Sequence, residues 1–240
     1  MAQDTDEAAA ASQTLPDDGP RALLKTLRPQ VYGKSSPGKV VDPIIEPLWI
    51  GVRSLAGVDP DGATIVDEDG VIVEGFDDIT ASLVDVLRAT GLVLDGFLTR
   101  QATQPAGLVG AWSDESPTMG SFIGLRRNRA VDTLKLREDA LAARNFDVDD
   151  EISYVATDLL WLDDTLLVDI PLLERRRILE SVLGESDLVR IGAFIRPPIM
   201  SWVGSWKAQG FDGLTYKAAN SRYHPGEMTK EWAISGMPRR

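Results

Sequence analysis

The stretch at residues 49–58, Trp-Ile-Gly-Val-Arg-Ser-Leu-Ala-Gly-Val, does most to limit what this chain can fold into. It reads as a β-strand in which Gly51 lets another backbone pass close by. Two more strand segments follow at 63–66 and 71–74. Between them Asp67-Glu68-Asp69-Gly70 suits a hairpin turn. Asp77 or Asp78 then caps a helix with Ile79, Leu83, Val86 and Leu87 on one face, and Gly91 ends it. Leu92-Val93-Leu94 is a short buried strand that runs into Asp95-Gly96.

The rest of the chain continues this mixture. Residues 21–32 hold one helical turn before Pro29, and 33–39 form a loop. The Gly-Lys-Ser at 33–35 lacks the earlier glycine of a phosphate loop, since that position is Arg28. The acidic run from Asp59 to Asp69 reaches Gly70 where a calcium loop needs a bidentate glutamate. Residues 101–120 read as a long loop, 121–129 and 131–144 as charged helices, and 152–162 as a strand. The clearest helix is 171–183, with Pro171 in its first turn and Gly184 at its C-terminal end. On it, Arg175, Arg176 and Arg177 read as a solvated face pairing with Glu174 and Glu180, with a phosphate-binding patch as the alternative. A strand at 189–195, a short helix at 198–209 carrying Trp202 and Trp206 as core contacts, and a strand at 214–217 complete the reading. Strands and helices alternate without a regular strand–helix–strand period, so the expected class is α+β.

Composition narrows the chemistry. With no cysteine, disulfides, thiolate catalysis and cysteine-ligated metals are excluded, and His224 is the single histidine. The formal net charge is −12. Asp4, Asp6, Glu7, Asp17 and Asp18 precede the first base, Arg21, and residues 1–20 read as a disordered acidic tail. The remainder is still acidic, which argues against strong sequence-independent grip on a DNA duplex. No secretory signal or membrane-length apolar run is visible, which makes the cytoplasm the default address.

A set of segments then recurs in a recognisable order. It opens with Glu46-Pro47-Leu48-Trp49-Ile50-Gly51-Val52-Arg53, followed by Asp67-Glu68-Asp69-Gly70 and Val93-Leu94-Asp95-Gly96-Phe97. Ser121-Phe122-Ile123-Gly124-Leu125-Arg126-Arg127 comes next, and then Thr157-Asp158-Leu159-Leu160-Trp161-Leu162-Asp163, which leads into Pro171-Leu172-Leu173-Glu174-Arg175-Arg176. Asp212-Gly213-Leu214-Thr215-Tyr216-Lys217, Ser221-Arg222-Tyr223-His224-Pro225-Gly226 and Trp232-Ala233-Ile234-Ser235-Gly236 close the series. In order and spacing, from about Asp42 to Trp232, these resemble the adenylation domain of ATP-dependent DNA ligases, nearest to the bacterial end-joining type.

The resemblance implies a ligase-like nucleotidyltransferase fold, ATP-grasp-like, with twisted antiparallel sheets flanked by helices over residues 21–240. The chain ends where the family's oligonucleotide-binding domain would begin, so no C-terminal domain of that kind is expected. The resemblance also implies a list of departures. The family's nucleophilic lysine is Leu48 here and its neighbouring aspartate is Ile50. The turn arginine is Glu68, the ribose-binding glutamate is Phe97, and the ring that stacks on adenine is Thr157. The two phosphate-binding lysines are Ile234 and Gly236. Arg53, Asp95 and Lys217 keep the family's polar identities, and Asp212 is one methylene shorter than the metal-associated glutamate.

Adenylyl transfer needs an amine to attack phosphorus, a metal at the phosphates and cations for the developing charge. The expectation is therefore a ligase-like pseudoenzyme that binds or scaffolds a protein partner, without catalytic residue or metal site. ATP and Mg2+ would matter only if the family's function survives. The alternatives are a ligase in DNA repair that works with a partner, and a weak nucleotide sensor built on Arg53, Asp95, Lys217 and Asp212. In the first alternative Lys39 or Lys217 would replace the nucleophile.

Overall fold

The computed structural model describes residues 19–33, 36–100 and 152–238. Helix α1 (Gly19–Leu23) is followed by strands β1 (Val31–Gly33), β2 (Pro43–Pro47), β3 (Val52–Asp59) and β4 (Gly62–Asp67), then helix α2 (Asp77–Asp85) and β5 (Leu92–Thr99). The second half holds β6 (Ser153–Leu162), β7 (Thr165–Leu166), α3 (Leu172–Val182), β8 (Val189–Ile191), α4 (Met200–Ala208), β9 (Gly213–Ala218) and β10 (Met228–Gly236). The expected loop at 101–120 and helices at 121–129 and 131–144 lie outside the described residues, as does the acidic tail up to residue 18.

Two sheets form. One has the order β1-β10-β9-β2, antiparallel except for the β1–β10 pair. The other runs β4-β3-β5-β6-β7, all antiparallel, with β8 added parallel to β6. The α+β class therefore holds, with antiparallel pairing dominant in both sheets.

Strand β5 is the centre: all of Leu92–Thr99 is buried. Alternation along it separates two faces. Leu92, Leu94 and Leu98 join Ala56, Val58, Tyr154 and Leu159 in one core, which Ile79 and Leu83 of α2 and Leu179 of α3 cover. Val93 joins Leu55, Leu160, Trp161 and the α1-side leucines Leu23, Leu24 and Leu27 in a second core that also takes Trp232 of the other sheet. Asp95 and Phe97 share Val93's parity, which fixes where the candidate site lies.

Several boundaries differ from those read in the sequence. The strand read at 49–58 begins only at Val52, and residues 48–51 form a connector instead. Pro47 ends β2, and β3 starts only at Val52, because β2 pairs with β9 while β3 pairs with β5. Gly51 sits in the connector, where a Cβ would fall on the Leu98 carbonyl, so the close approach is real. The turn at 67–70 forms, with Gly70 at φ 85°, but its return at 71–74 pairs through a single bridge, Val66 with Ile72. Asp77 lies inside α2 rather than capping it; Phe76 is the cap residue and gives no side-chain bond. Trp206 is buried as expected, with the Trp202 ring 6.1 Å away.

The arginine run on α3 is the largest correction. Arg175 and Arg176 are fully buried and form neither a solvated face nor a phosphate patch. Arg175 donates from Nε and Nη2 to the two Asp158 oxygens at 2.8 and 2.7 Å. Arg176 donates to the Gly192 and Ala156 carbonyls. Only Arg177 pairs outward, with Glu174. A bulge explains the partner: the β5–β6 register slips between Asp95 and Gly96, and Asp158 is swung beneath α3. No helix among the described residues is long and apolar enough to cross a membrane.

Removing one member of a buried pair strands the other charge. Arg175→Met should therefore cost about 3–5 kcal/mol in urea unfolding. Adding Asp158→Leu to it should restore a large part of that loss; a double variant as unstable as the single one would show that the pair is not the cause.

Candidate functional site

The residues implied by the resemblance come to the space where the two sheets face each other. On the β3–β5 side, Arg53 stands opposite Phe97 in the register and diagonal to Asp95. It donates to both Asp95 oxygens, from Nη2 at 2.7 Å and from Nε at 3.2 Å. Asp95 is wholly buried and also accepts from the Tyr223 hydroxyl at 2.7 Å. Tyr223 in turn accepts from the Gln30 backbone N–H, so its oxygen is used in both directions.

On the other sheet, Lys217 of β9 stands opposite Trp232 of β10 and Ile44 of β2. Lys217 Nζ lies 2.7 Å from Glu46 Oε2, and both side chains are buried. The contact is a charge pair rather than an aligned hydrogen bond, since Nζ and Glu46 Oε1 make no hydrogen bond. Thr215 donates to Glu46 at 3.3 Å.

Two rings join these pairs. The Arg53 guanidinium lies 4.8 Å from the Tyr32 ring centre and 5.9 Å from that of Trp232. Lys217 Nζ lies 4.6 Å from Trp232 and 5.9 Å from Tyr32. Both cations thus meet aromatic faces as well as carboxylates.

The electrostatics follow from this packing. Burial is the strongest influence on Lys217 and would depress it, but Glu46, Tyr32, Asp158 and Asp95 together hold the amine above its ordinary range. Arg53 behaves likewise, with Asp95, Tyr32 and Tyr223 together overcoming burial. Burial pushes the Tyr223 and Tyr154 hydroxyls well up, and the Asp95 charge adds to both. Lys217 is therefore an ammonium without a lone pair, and its charge is already matched.

The other positions fall differently. Leu48 is 7% exposed and its side chain packs on Gly213, where a Cβ would meet Leu48 Cδ2 at 2.8 Å. Phe97 is 6% exposed and joins Trp49, Trp206, Phe211, Ile45 and Leu214 in an apolar cluster. Thr157 is 1% exposed and donates to the Asp95 carbonyl at 3.2 Å. Asp212 is exposed just before β9 and does not join the cluster. Lys39 is exposed in a 3₁₀ turn at Pro37–Lys39. Among the described residues no group of three or more acidic or histidine side chains could hold a metal ion.

The sequence reading missed Glu46, Tyr32, Tyr223 and Trp232 as members of this cluster. Glu46 had a signal: a carboxylate between Ile45 and Pro47 in an apolar strand must be paired if buried. The rings had none, because their role depends on pairing across sheets.

By fold this is a nucleotidyltransferase domain of the ligase type. It matches the ligase domain of M. tuberculosis LigD with a TM-score of 0.57 at 18% identity, over 87% of this chain and 58% of that one. It matches mycobacterial DNA ligase D complexed with ATP and MES with a TM-score of 0.58 at 18% identity, over 88% of this chain and 60% of that one. Residues 126–233 match the family described as the ATP dependent DNA ligase domain. DNA ligase 2 of Haloquadratum walsbyi is 27% identical over 183 residues, which cover 72% of this chain and 27% of that protein. The chain is thus similar to the ATP dependent DNA ligase domain over residues 126–233, and it spans about three fifths of those ligase structures and about a quarter of that curated relative.

The test of a nucleotide against these residues goes against a fit. Leu48, Phe97 and Thr157 are buried in packing or bonded to backbone, and Arg53 and Lys217 already face carboxylates. A phosphate arriving here would have to displace Asp95 or Glu46 from its cation.

Tyr154, Tyr223 and Lys217 give a pH prediction with one sign. Each is raised in the folded chain, so the fold keeps its proton where the unfolded chain loses it. Stability is full below about pH 10 and falls as pH rises above it, by up to about 1.4 kcal/mol per unit for each group. Urea midpoints from about pH 8 to about pH 11 should show this fall, and Tyr223→Phe should flatten part of it. An unchanged slope in that variant would contradict the assignment.

Proposed function

We propose that this chain is a ligase-like adenylation domain that does not transfer adenylyl groups and acts by binding a protein partner. The observation that carries the reading is the pairing of its remaining polar residues with one another. Arg53 is taken by Asp95, and Lys217 by Glu46. Chemistry supports the same reading at Leu48, since a leucine side chain has no lone pair to attack phosphorus. Phe97 and Thr157, at the positions that the resemblance assigns to ribose and adenine, are buried against protein.

In an active member of the family, ATP supplies the adenylyl group and a divalent metal supports the phosphates. Here the residues left at those positions hold the two sheets together instead. Lys217 is a poor substitute nucleophile because Glu46, Tyr32, Asp158 and Asp95 together keep it protonated. DNA ligation is the activity named for the relatives, and for this chain the acidic balance of −12 speaks for a protein partner over a duplex.

Intact-mass measurement after incubation with ATP and Mg2+ tests this directly. The expected spectrum shows no adenylyl adduct, either in the natural chain or in Leu48→Lys, because the pocket walls as well as the nucleophile have changed. An adduct on the natural chain would overturn the reading, and one on Leu48→Lys alone would place the whole loss at a single residue.

A further inference from the structure

The edge of the larger sheet carries a second site. Beyond the turn at 67–70, the chain returns along β4 as residues 71–73. Asp67 N–H donates to the Val71 carbonyl and Val73 N–H to the Ile65 carbonyl, both at 2.9 Å. In an antiparallel bridge of this kind the residue between the two bonds, Ile72, turns its own N–H and C=O away from β4. Among the described residues neither group makes a hydrogen bond. Val71 and Ile72 are 61% and 62% exposed, and among the described residues they are the one pair of sequence neighbours in which both are exposed large apolar side chains. An exposed, unpaired, β-branched strand edge is a template for another strand.

Charge selects what can use it. From residue 54 to residue 87 the chain has no lysine or arginine, and Glu74, Asp77 and Asp78 are exposed after the edge residues, while the Arg28 guanidinium packs against Gly70 at the turn and donates to the Leu24 and Leu27 carbonyls. Glu74, Asp77 and Asp78 take part in no ion pair among the described residues. A second copy added edge to edge would bring these carboxylates against themselves. A nucleic acid strand would meet the same repulsion.

We infer that residues 71–74 are a docking edge for an extended, basic segment of a partner protein. The segment would add as a strand through the Ile72 backbone groups. Alternate apolar side chains, all on one face of the added strand, would rest on Ile72, and lysines or arginines of the segment would face Glu74, Asp77 and Asp78. Backbone bonds would supply affinity and the acidic rim would set specificity. The inference rests on the reading of the chain as a protein-binding domain, yet the two fail separately. An adenylyl adduct would end that reading and leave the edge untouched.

A short fluorescein-labelled peptide of alternating lysine and valine is the probe, with alternating glutamate and valine as its control. The lysine peptide should raise its anisotropy on the natural chain, more weakly as salt rises, and the glutamate peptide should not. Ile72→Pro removes the outward N–H and leaves the bonds of Val71 and Val73 in place, as proline is tolerated on a strand edge. It should weaken binding at least about tenfold, the equivalent of one hydrogen-bonded contact of about 1.4 kcal/mol. The triple variant Glu74→Lys, Asp77→Lys, Asp78→Lys, which touches only the surface, should do the same and should raise binding of the glutamate peptide. Equal binding to Ile72→Pro, equal binding of both peptides, or no binding to the natural chain would each overturn the inference, as would displacement of the lysine peptide by duplex DNA.

Discussion

Four buried charges between two sheets govern this structure. Arg53, Asp95, Lys217 and Glu46 are removed from water, at a desolvation cost of several kcal/mol for each ion unless it is matched. Each is matched within its own sheet, Arg53 by Asp95 and Lys217 by Glu46. The sheets then meet through Tyr32 and Trp232, whose faces take both cations. No single member can be lost without leaving a charge or a ring face exposed to a poor environment. The same constraint explains the neighbouring apolar side chains, since Leu48, Phe97 and Trp232 keep water from the pairs.

Buried pairs of this kind are weak evidence for stability as such, and stronger evidence for a fixed arrangement. The Arg175–Asp158 pair beneath α3 repeats the pattern a short distance away, on the far side of a bulge in β6. Together they make an interior in which opposite charges are matched from within, although Lys217 Nζ and Glu46 Oε1 make no hydrogen bond. A ligand phosphate finds its natural partners already engaged.

Much of this was legible in the chain itself. The hairpin turn at 67–70, the buried strand at Leu92 and the helix after Pro171 follow from periodicity and turn chemistry, and the ligase-like fold followed from motif order. The break between β2 and β3 was not legible, because Trp49 and Ile50 have strand propensity and only the different partners of the two strands divide them. The fate of Arg175 and Arg176 was hidden for a related reason: a run of arginines reads as a surface until a bulge places Asp158 beneath it. Arg53, Asp95 and Lys217 could be named from sequence, but their partners could not, since Glu46 and Tyr223 are set by register across strands. Residues at the family's nucleotide positions were identified as changed; whether the change emptied or filled the space is a matter of packing.

On the proposed reading, Arg53 and Lys217 are engaged by Asp95 and Glu46 and offer nothing to a nucleotide. Isothermal titration of the natural chain with ATP, with and without Mg2+, addresses it most directly. The expected heats equal those of dilution in both cases. A saturable exotherm that disappears in Lys217→Met or Arg53→Met, with those variants still folded, would show that the cations serve a ligand and would contradict it.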